Sequence, residues 1–219
     1  DSELETYPDL VIHTIARDGI AVVAHPESTV DELTIEQVRE IFAGNITNWS
    51  EVGGENAPIT VVSREEGSGT RGAFEDMVMG DAAISDGAIF QDSNGKVRTA
   101  VSSTPNAIGF LSFGYLDESV LTMYVEGVEP TVENALNGSY PVVRPLNMVT
   151  LGEPTGEAEA FLDWIMSAEG QVIVEDEGYI PVGGAIVDEL TAEPEAEESE
   201  EVAISLAGST TVQPLAEKL

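Results

Sequence analysis

The sequence predicts an α/β fold, because short apolar segments rich in β-branched residues alternate along it with segments of helical periodicity. Residues 20–24 and 59–62 are the clearest strand candidates, and a glycine-rich turn follows the second of them. A capped amphipathic helix is predicted between these two strands. The chain of 219 residues is long enough to bury one large core or the cores of two small lobes.

The helix between the two strands has a clear start and a clear end. Thr34 and Gln37 stand at the spacing of a capping box, an apolar stripe follows them, and Gly44 suits the left-handed residue that ends a helix. The other helix candidates are residues 73–79, residues 157–166 and a stretch after Gly170 that runs to Glu177. The other strand candidates are residues 107–111 and residues 142–149, where Pro145 suits an edge strand or a bend.

The charge of the chain excludes several classes of partner. Its 8 basic and 41 acidic residues give a formal net charge of −33, which repels nucleic acid and anionic membranes. Because the acidic residues are spread along the chain, the surface suits high salt, and we expect a halophilic or salt-tolerant source. The lack of cysteine excludes disulfides, thiolate metal sites and cysteine nucleophiles. No apolar run in the sequence approaches the ~20 residues that span a bilayer.

The composition changes sharply near residue 185. Residues 188–201 hold eight acidic residues and almost nothing apolar, which is typical of a solvated segment. We therefore predict an acidic, flexible linker over residues 185–202. Beyond it, residues 203–207 resume a strand pattern, residues 208–211 form a turn, and residues 212–219 begin a helix.

Residues 64–72, which we call the anion loop, have the sequence of an oxyanion-binding turn. A strand that feeds a glycine-rich turn and then a helix directs backbone N–H groups at one point, and the helix start adds positive charge there. The planar, charged guanidinium of Arg64 suits two oxygens of one anion. The candidate ligands of this loop are Arg64, Glu66, Ser68, Gly69 and Thr70. For the loop taken alone, the alternative is a surface turn with a salt bridge.

Glu66 is the residue of the anion loop that discriminates between anions. A carboxylate beside an anion repels it unless the ligand carries a proton. Glu66 can accept a hydrogen bond from protonated phosphate, whereas sulfate has no proton to give at neutral pH. A charged group left without a partner costs more than the ~1–3 kcal/mol of a neutral one, which is enough for at least about tenfold discrimination.

A second turn of the same kind, residues 208–211, offers Ser209, Thr210 and Thr211. Two such turns that face each other can hold one tetrahedral anion between them. By itself the second turn is equally well a helix cap without a ligand, so its assignment depends on the anion loop.

Several segments together resemble one known family. They are residues 18–23, residues 33–44 with Asn48 and Trp49, residues 64–71, residues 107–110, residues 144–146, and residues 207–212 with Pro214. The set resembles the phosphate-binding proteins of ABC-type phosphate importers, the PstS family, over most of residues 10–183 and 203–219. The resemblance implies a type II periplasmic-binding-protein fold, in which two α/β lobes joined by a hinge close over one phosphate.

The resemblance also implies the function and the location of the chain. A receptor of this family is an exported or surface-anchored, extracytoplasmic protein that captures inorganic phosphate and delivers it to an ABC permease. It needs no cofactor and no metal. Carried over by motif, the anion loop would bind phosphate from one lobe, with Glu66 at a position where the family usually has Asp. Thr210 and Thr211, with Ser209 beside them, would bind from the other lobe.

The segment order departs from that of the family, which begins with the equivalent of residues 207–211 and then continues through a piece missing here. The expected lobes are therefore lobe 1, which is incomplete, and lobe 2, which carries the anion loop. Lobe 1 comprises residues 1–23, 144–184 and 203–219, and lobe 2 comprises residues 24–143. A tandem pair joined through the acidic linker is favoured over a circular permutant or a cleavage product. The start at Asp1 without methionine agrees with a processed or excised chain.

Three other functions are weighed at this point, and two of them stay open. A scaffolding relative would keep the fold without the ligand, and a receptor of another oxyanion would use the same loop. An enzyme is not expected, because Ser68 lacks the G-x-S-x-G spacing and only His13 and His25 could serve as bases. Arg144 is interpreted as a hinge residue or an indirect charge, and Arg71 as a rim residue, both ranked below Arg64. Trp49 and Trp164 are interpreted as core or surface residues of the lobes.

Overall fold

A computed structural model describes residues 7–182 of the chain, together with positions 215 and 218. The predicted acidic linker at residues 185–202 and the strand at residues 203–207 lie outside the described residues, as do Ser209, Thr210 and Thr211. Within the part that is described, no helix combines the length and the apolar character needed to cross a membrane.

The described residues contain eight strands and six α-helices. The strands are β1 (Leu10–Ala24), β2 (Glu32–Leu33), β3 (Thr60–Arg64), β4 (Ile89–Gln91), β5 (Ala107–Ser112), β6 (Leu121–Thr122), β7 (Tyr124–Val125) and β8 (Val143–Leu151). The α-helices are α1 (Ile35–Ala43), α2 (Gly69–Phe74), α3 (Asn94–Ser103), α4 (Val132–Leu136), α5 (Glu157–Met166) and α6 (Ala168–Asp176). Shorter turns of helix span Trp49–Val52, Phe113–Tyr115 and, in π geometry, Glu75–Met79.

Six strands form the main sheet in the order β4-β3-β5-β1-β6, with β8 paired to the first half of β1. Strand β3 is parallel to both of its neighbours, whereas β1 is antiparallel to β5, β6 and β8. Strands β2 and β7 form a separate parallel pair. In this arrangement β3, β4 and β5 end near one another, and the anion loop begins where β3 ends.

Local signals account for the helix that follows β2. The Thr34 hydroxyl accepts from the Gln37 backbone at 3.1 Å, and the Gln37 side chain accepts from the Thr34 backbone at 2.9 Å. Gly44 ends the helix with φ of 81°, where a side chain would be strained. The predicted capping box and helix end are confirmed. The strands expected at residues 59–62, 107–111 and 142–149 are confirmed as β3, β5 and β8, each shifted by at most two residues.

Strand β1 is the element that connects two separate apolar cores. Its first half pairs with β8, and its second half pairs with β5 and β6. The larger core takes Ile20 onwards, and the smaller core takes Ile15 and Ala16 with the side chains of β8, α5 and α6. The change from one core to the other thus lies near residues 17–19.

Gly19 allows β1 to change from one core to the other. A Cβ atom at this position would lie 2.2 Å from the Phe113 ring, which packs directly on the backbone there. Because Gly19 has no side chain, the turn Phe113–Tyr115 can pack directly on the backbone of β1 at the point where the two cores meet.

Candidate anion-binding site

The anion loop has the strand–turn–helix geometry that the sequence predicts. Strand β3 ends at Arg64, and Gly67 turns the chain with φ of 82°, a left-handed value that favours glycine. Ser68 then caps α2, because its Oγ accepts a hydrogen bond from the Arg71 backbone at 3.3 Å. Ser68 and Thr70 are buried, whereas Gly69 is exposed at the start of the helix. The turn thus holds two hydroxyl groups under a short exposed segment of backbone.

Arg64 lies beneath this turn with a side chain that is only 3% exposed. Its Nε donates to Glu65 Oε2 at 3.0 Å and its Nη2 donates to Glu65 Oε1 at 2.9 Å. Nη2 also contacts the carbonyl oxygen of Asp92 at 3.4 Å. The guanidinium of Arg64 therefore binds both oxygens of the Glu65 carboxylate in the planar, two-bond geometry that a phosphate would also use.

Glu65 and Glu66 differ in their environment although they are neighbours. The hydrogen bond from Arg64 lowers the pKa of Glu65, against a small opposing effect of burial. Glu66 is exposed, whereas Glu65 is only partly exposed. The carboxylate that contacts Arg64 is therefore Glu65, a residue that the sequence analysis did not single out.

Thr70 is fully buried and lies where several elements meet. Its Oγ1 accepts from Arg144 Nη2 at 3.2 Å and from Asn94 Nδ2 at 3.4 Å. Arg144 belongs to β8, and Asn94 is the first residue of α3. The predicted ligand Thr70 is thus tied both to the larger core and to the strand pair that joins the two cores.

Asp18 completes this network from β1. Its Oδ2 accepts from Arg144 Nε at 3.1 Å and from Arg144 Nη2 at 2.9 Å, directly across the β1–β8 ladder. Its Oδ1 accepts from Ser112 Oγ at 2.8 Å and from the Phe113 backbone at 3.2 Å. The backbone N–H of Ser112 in turn donates to Asn94 Oδ1 at 3.4 Å. These hydrogen bonds close a ring of five residues, which we call the polar ring: Asp18, Thr70, Asn94, Ser112 and Arg144.

The polar ring is buried around a charged pair. Asp18 is fully buried, and the side chain of Arg144 is 11% exposed. Burial raises the pKa of Asp18, while the Arg144 guanidinium and the hydrogen bonds from Ser112 and Phe113 oppose this rise. A carboxylate at such depth needs several donors, and the ring supplies them.

Sequence reasoning found some of these residues and missed others. Arg144 was interpreted as a hinge residue or an indirect charge, and the structure places it on β8 beside β1. Asp18, Asn94 and Ser112 were missed. One signal was available for Asp18, because a carboxylate directly before a buried apolar strand requires a charged partner. No comparable signal in the sequence identifies Asn94 or Ser112.

The remaining sequence candidates make contacts outside the polar ring, although Arg71 belongs to the anion loop and its Nη1 donates to the carbonyl oxygen of Arg64 at 3.3 Å. Arg71 is held on α2 by Glu75 at 2.8 Å and lies over the ring of Phe90. His13 contacts the hydroxyl of Thr150 at 2.8 Å, far along β1 from the anion loop. Trp49 packs in the larger core and Trp164 against the smaller one, in agreement with their interpretation as core or surface residues of the lobes. Across residues 7–182, no group of three or more His, Asp or Glu side chains is placed to hold a metal ion.

A family profile and curated relatives assign the chain to the same group of proteins. A family profile described as a PBP superfamily domain matches residues 7–169. The phosphate-binding protein PstS of Bacillus subtilis is 39% identical over 175 residues, which are 79% of this chain and 58% of that protein. The phosphate-binding protein PstS 2 of Streptococcus agalactiae is 39% identical over 171 residues, 74% of this chain and 56% of that protein. The chain thus spans little more than half the length of these curated relatives.

Solved structures agree with this assignment. A structure with bound phosphate from Clostridium perfringens, described as a phosphate ABC transporter substrate-binding protein, is 44% identical with a TM-score of 0.78. The alignment covers 84% of this chain and 76% of the Clostridium perfringens chain. An ABC-type phosphate transport receptor from Vibrio cholerae is 34% identical, with a TM-score of 0.69 over 78% of this chain and 72% of its own. This chain therefore belongs to the PBP superfamily, and within it to the family of the PstS phosphate-binding proteins.

Proposed function

We propose that this chain is part of an extracytoplasmic solute-binding protein that captures inorganic phosphate and delivers it to an ABC permease. The observation that carries the proposal is the anion loop, where a buried guanidinium and two buried hydroxyls surround one glycine-rich turn. Support comes from the relative with bound phosphate, at 44% identity. In a chain with formal charge −33, local donors of this kind must supply the attraction for an anion.

The proposed site is shared between two lobes. Residues 24–143 form the lobe that presents Arg64, Ser68, Gly69 and Thr70, and β1 and β8 form the connection to the other lobe. The second, incomplete lobe would comprise residues 1–23, 144–184 and 203–219, and there Ser209, Thr210 and Thr211 would bind the opposite face of the anion. Closure of the lobes would exclude water from the ligand. A second copy joined in tandem through residues 185–202 stays a prediction that the relatives above do not support.

Calorimetric titration of the chain with phosphate, and then with sulfate, tests the proposal. The titration belongs in high salt near neutral pH, where the acidic surface is screened. We expect saturable heat with phosphate and no heat with sulfate, because the Glu66 carboxylate would accept a hydrogen bond from a protonated anion and would repel one that carries no proton. Heat with sulfate would favour a receptor of another oxyanion. No heat with either anion, from a folded protein, would favour a non-binding, scaffolding relative.

Arg64→Ala should weaken phosphate binding roughly 30- to 3000-fold, because removing a buried charge partner of a ligand costs about 2–5 kcal/mol. The matched control is Arg98→Ala on α3, which makes the same change of charge. Arg98 pairs with Asp117 and the carbonyl of Tyr115, away from the anion loop. Equal losses in the two variants would show that only the overall charge matters and would contradict the role of Arg64.

Glu65→Gln should strengthen phosphate binding by about threefold to tenfold, since one unit charge at 4 Å in water is worth ~1 kcal/mol. The carboxylate of Glu65 holds two donors of Arg64 and repels an incoming anion, and glutamine keeps its shape without its charge. Titration of both proteins with phosphate measures the effect. Glu36→Gln is the control, because Glu36 pairs with Arg39 on the surface of α1. Unchanged or weaker binding in Glu65→Gln would mean that Glu65 orients Arg64 and does not compete for it.

A further inference from the structure

Strand β8 has a long edge that the described residues leave open. Its nine residues pair with β1 on one side, and in the part of the chain that the structure describes no other strand pairs with it. Soluble proteins usually protect such an edge with charged side chains, with proline, or by keeping the strand very short. Arg144 and Pro145 protect the start of β8, but residues 146–151 contain neither a charge nor a proline. This stretch therefore has the character of an edge that another strand covers.

The surface around this edge is apolar and free of acidic residues. Val149 and Leu151 of β8 are 52% and 80% exposed. The paired stretches, residues 10–17 and 143–151, contain no acidic residue, although the chain has 41 of them. By contrast, the edge strands β4 and β6 of the main sheet have only three and two residues and need no cover. The open edge of β8 is thus the one whose composition suits a docking surface.

The chain leaves the smaller core after Val182 and returns to it at Leu215. The backbone N–H of Val182 donates to Gln171 Oε1 at 2.8 Å, and the buried amide of Gln171 donates to the carbonyl oxygen of Ile15 at 3.0 Å. Leu215 is fully buried in the same core, together with Leu146 of β8. The residues between Val182 and Leu215 are therefore fixed at both ends to the core that β8 lines.

Residues 203–207 are the part of this connection that has a strand pattern. Ile204 and Leu206 alternate with alanine and serine, so the two large side chains would share one face of a strand. On β8, Leu146 and Met148 are the side chains that pack in the smaller core. A strand at the edge of β8 would place Ile204 and Leu206 beside them and would leave only small side chains on the exposed face.

The lengths of the two connections permit this placement within one chain. The path from residue 207 to Leu215 spans at most about 28 Å when extended, and residues 183–202 span up to about 70 Å. A strand tethered in this way has an effective concentration on the order of millimolar at the edge. A strand from a second copy has no such advantage, and two chains of charge −33 repel each other.

We infer that residues 203–207 add as a strand to the free edge of β8 in the same chain, with Leu215 holding them there. The inference goes beyond the proposed function, because the contact needs no ligand. Its consequence is that the chain covers its own sheet edge, so that neither a second copy nor a tandem domain is required for that purpose.

Amide hydrogen exchange measured residue by residue by NMR, without phosphate, tests the inference. Ile204→Pro removes a backbone donor from the middle of the added strand, and Ala196→Pro makes the same kind of change within the acidic stretch. In Ile204→Pro we expect the outward amides of residues 146–151 to exchange at least about tenfold faster than in the unaltered chain. In Ala196→Pro these rates should not change. The amides of β3 and β5 should stay protected in all three proteins, which shows that the larger core is folded.

Three results would overturn the inference. The first is fast exchange of the outward amides of β8 in the unaltered chain, and the second is equal exchange in the unaltered chain and in Ile204→Pro. The third is protection that light scattering finds only in a dimer, which would assign the edge to a second copy. Protection in a monomer that is lost in Ile204→Pro alone supports the inference. Since no phosphate is added, none of these results depends on whether the chain is a phosphate receptor.

Discussion

Asp18→Ala is expected to lower the free energy of unfolding by about 3–5 kcal/mol, the usual cost of removing one partner of a buried ion pair. Asp18 is fully buried, and the variant would leave the Arg144 guanidinium inside the protein without its counter-charge. It would also remove the acceptor of the Ser112 hydroxyl and of the Phe113 backbone. Urea denaturation at constant pH and salt measures the loss.

Two further variants decide whether this loss comes from the unpaired charge. Asp18→Leu combined with Arg144→Met removes both charges and should recover most of the stability, because a buried ion pair contributes little beyond an apolar pair of similar volume. Glu36→Ala, which breaks a surface pair with Arg39, should change the stability only slightly. A double variant as unstable as Asp18→Ala would show that the hydrogen bonds of the ring, and not its charges, stabilise the fold.

Phe74→Ala is expected to lower the free energy of unfolding by about 3–5 kcal/mol, since it opens a cavity in the larger core. The ring of Phe74 is stacked on Phe110, with centroids 4.1 Å apart, and lies 4.8 Å from Phe42. Phe74 is fully buried and is the last residue of α2, the helix that begins inside the anion loop. It therefore anchors that loop to the sheet, and denaturation in urea measures the loss of this anchor.

The size of the effect should follow the volume that is removed. Phe74→Leu keeps most of the apolar volume and should cost less than half as much as Phe74→Ala. Phe90→Ala is the control on the surface, because Phe90 is 42% exposed and does not belong to the aromatic group around Phe74. Similar losses for Phe74→Ala and Phe90→Ala would contradict the assignment of Phe74 as a core anchor.

Segments with strong local signals could be predicted closely. The helix that starts at Thr34 has a capping box and a terminal glycine, and both interactions depend only on residues within one helix. The strand at residues 59–62 and the turn after it were found for the same reason, because an apolar run is followed five residues later by Gly67, which adopts a left-handed φ. Ser68 caps α2 within the same local stretch.

Several elements escaped the sequence analysis because their signals are weak, among them α3 and β4. Helix α3 contains Gly95 and several Ser and Thr residues, which are poor helix formers. It forms because Val97 and Val101 pack against β5 at Gly109, where a side chain would lie 2.8 Å from Val101. Strand β4 has only three residues and is defined by its pairing with β3. Tertiary contacts decide both elements.

The sequence by itself determined the α/β class, the position of the anion loop and the identity of Arg64, Ser68 and Thr70 as its polar residues. These features depend on neighbouring residues, so a single sequence contains them. Only the tertiary structure decided that Glu65 is the carboxylate that pairs with Arg64, since the turn geometry selects one of two adjacent glutamates.

The polar ring is the clearest case of a feature that only the fold creates. Its hydrogen bonds join residues that are up to 126 positions apart, such as Asp18 and Arg144. Pairing between distant strands depends on the packing of the whole sheet and on its register. A shift of one strand by one residue would turn its side chain to the other face, away from its partner. The sequence supplies the charges, and the register of β1 against β8 brings them together.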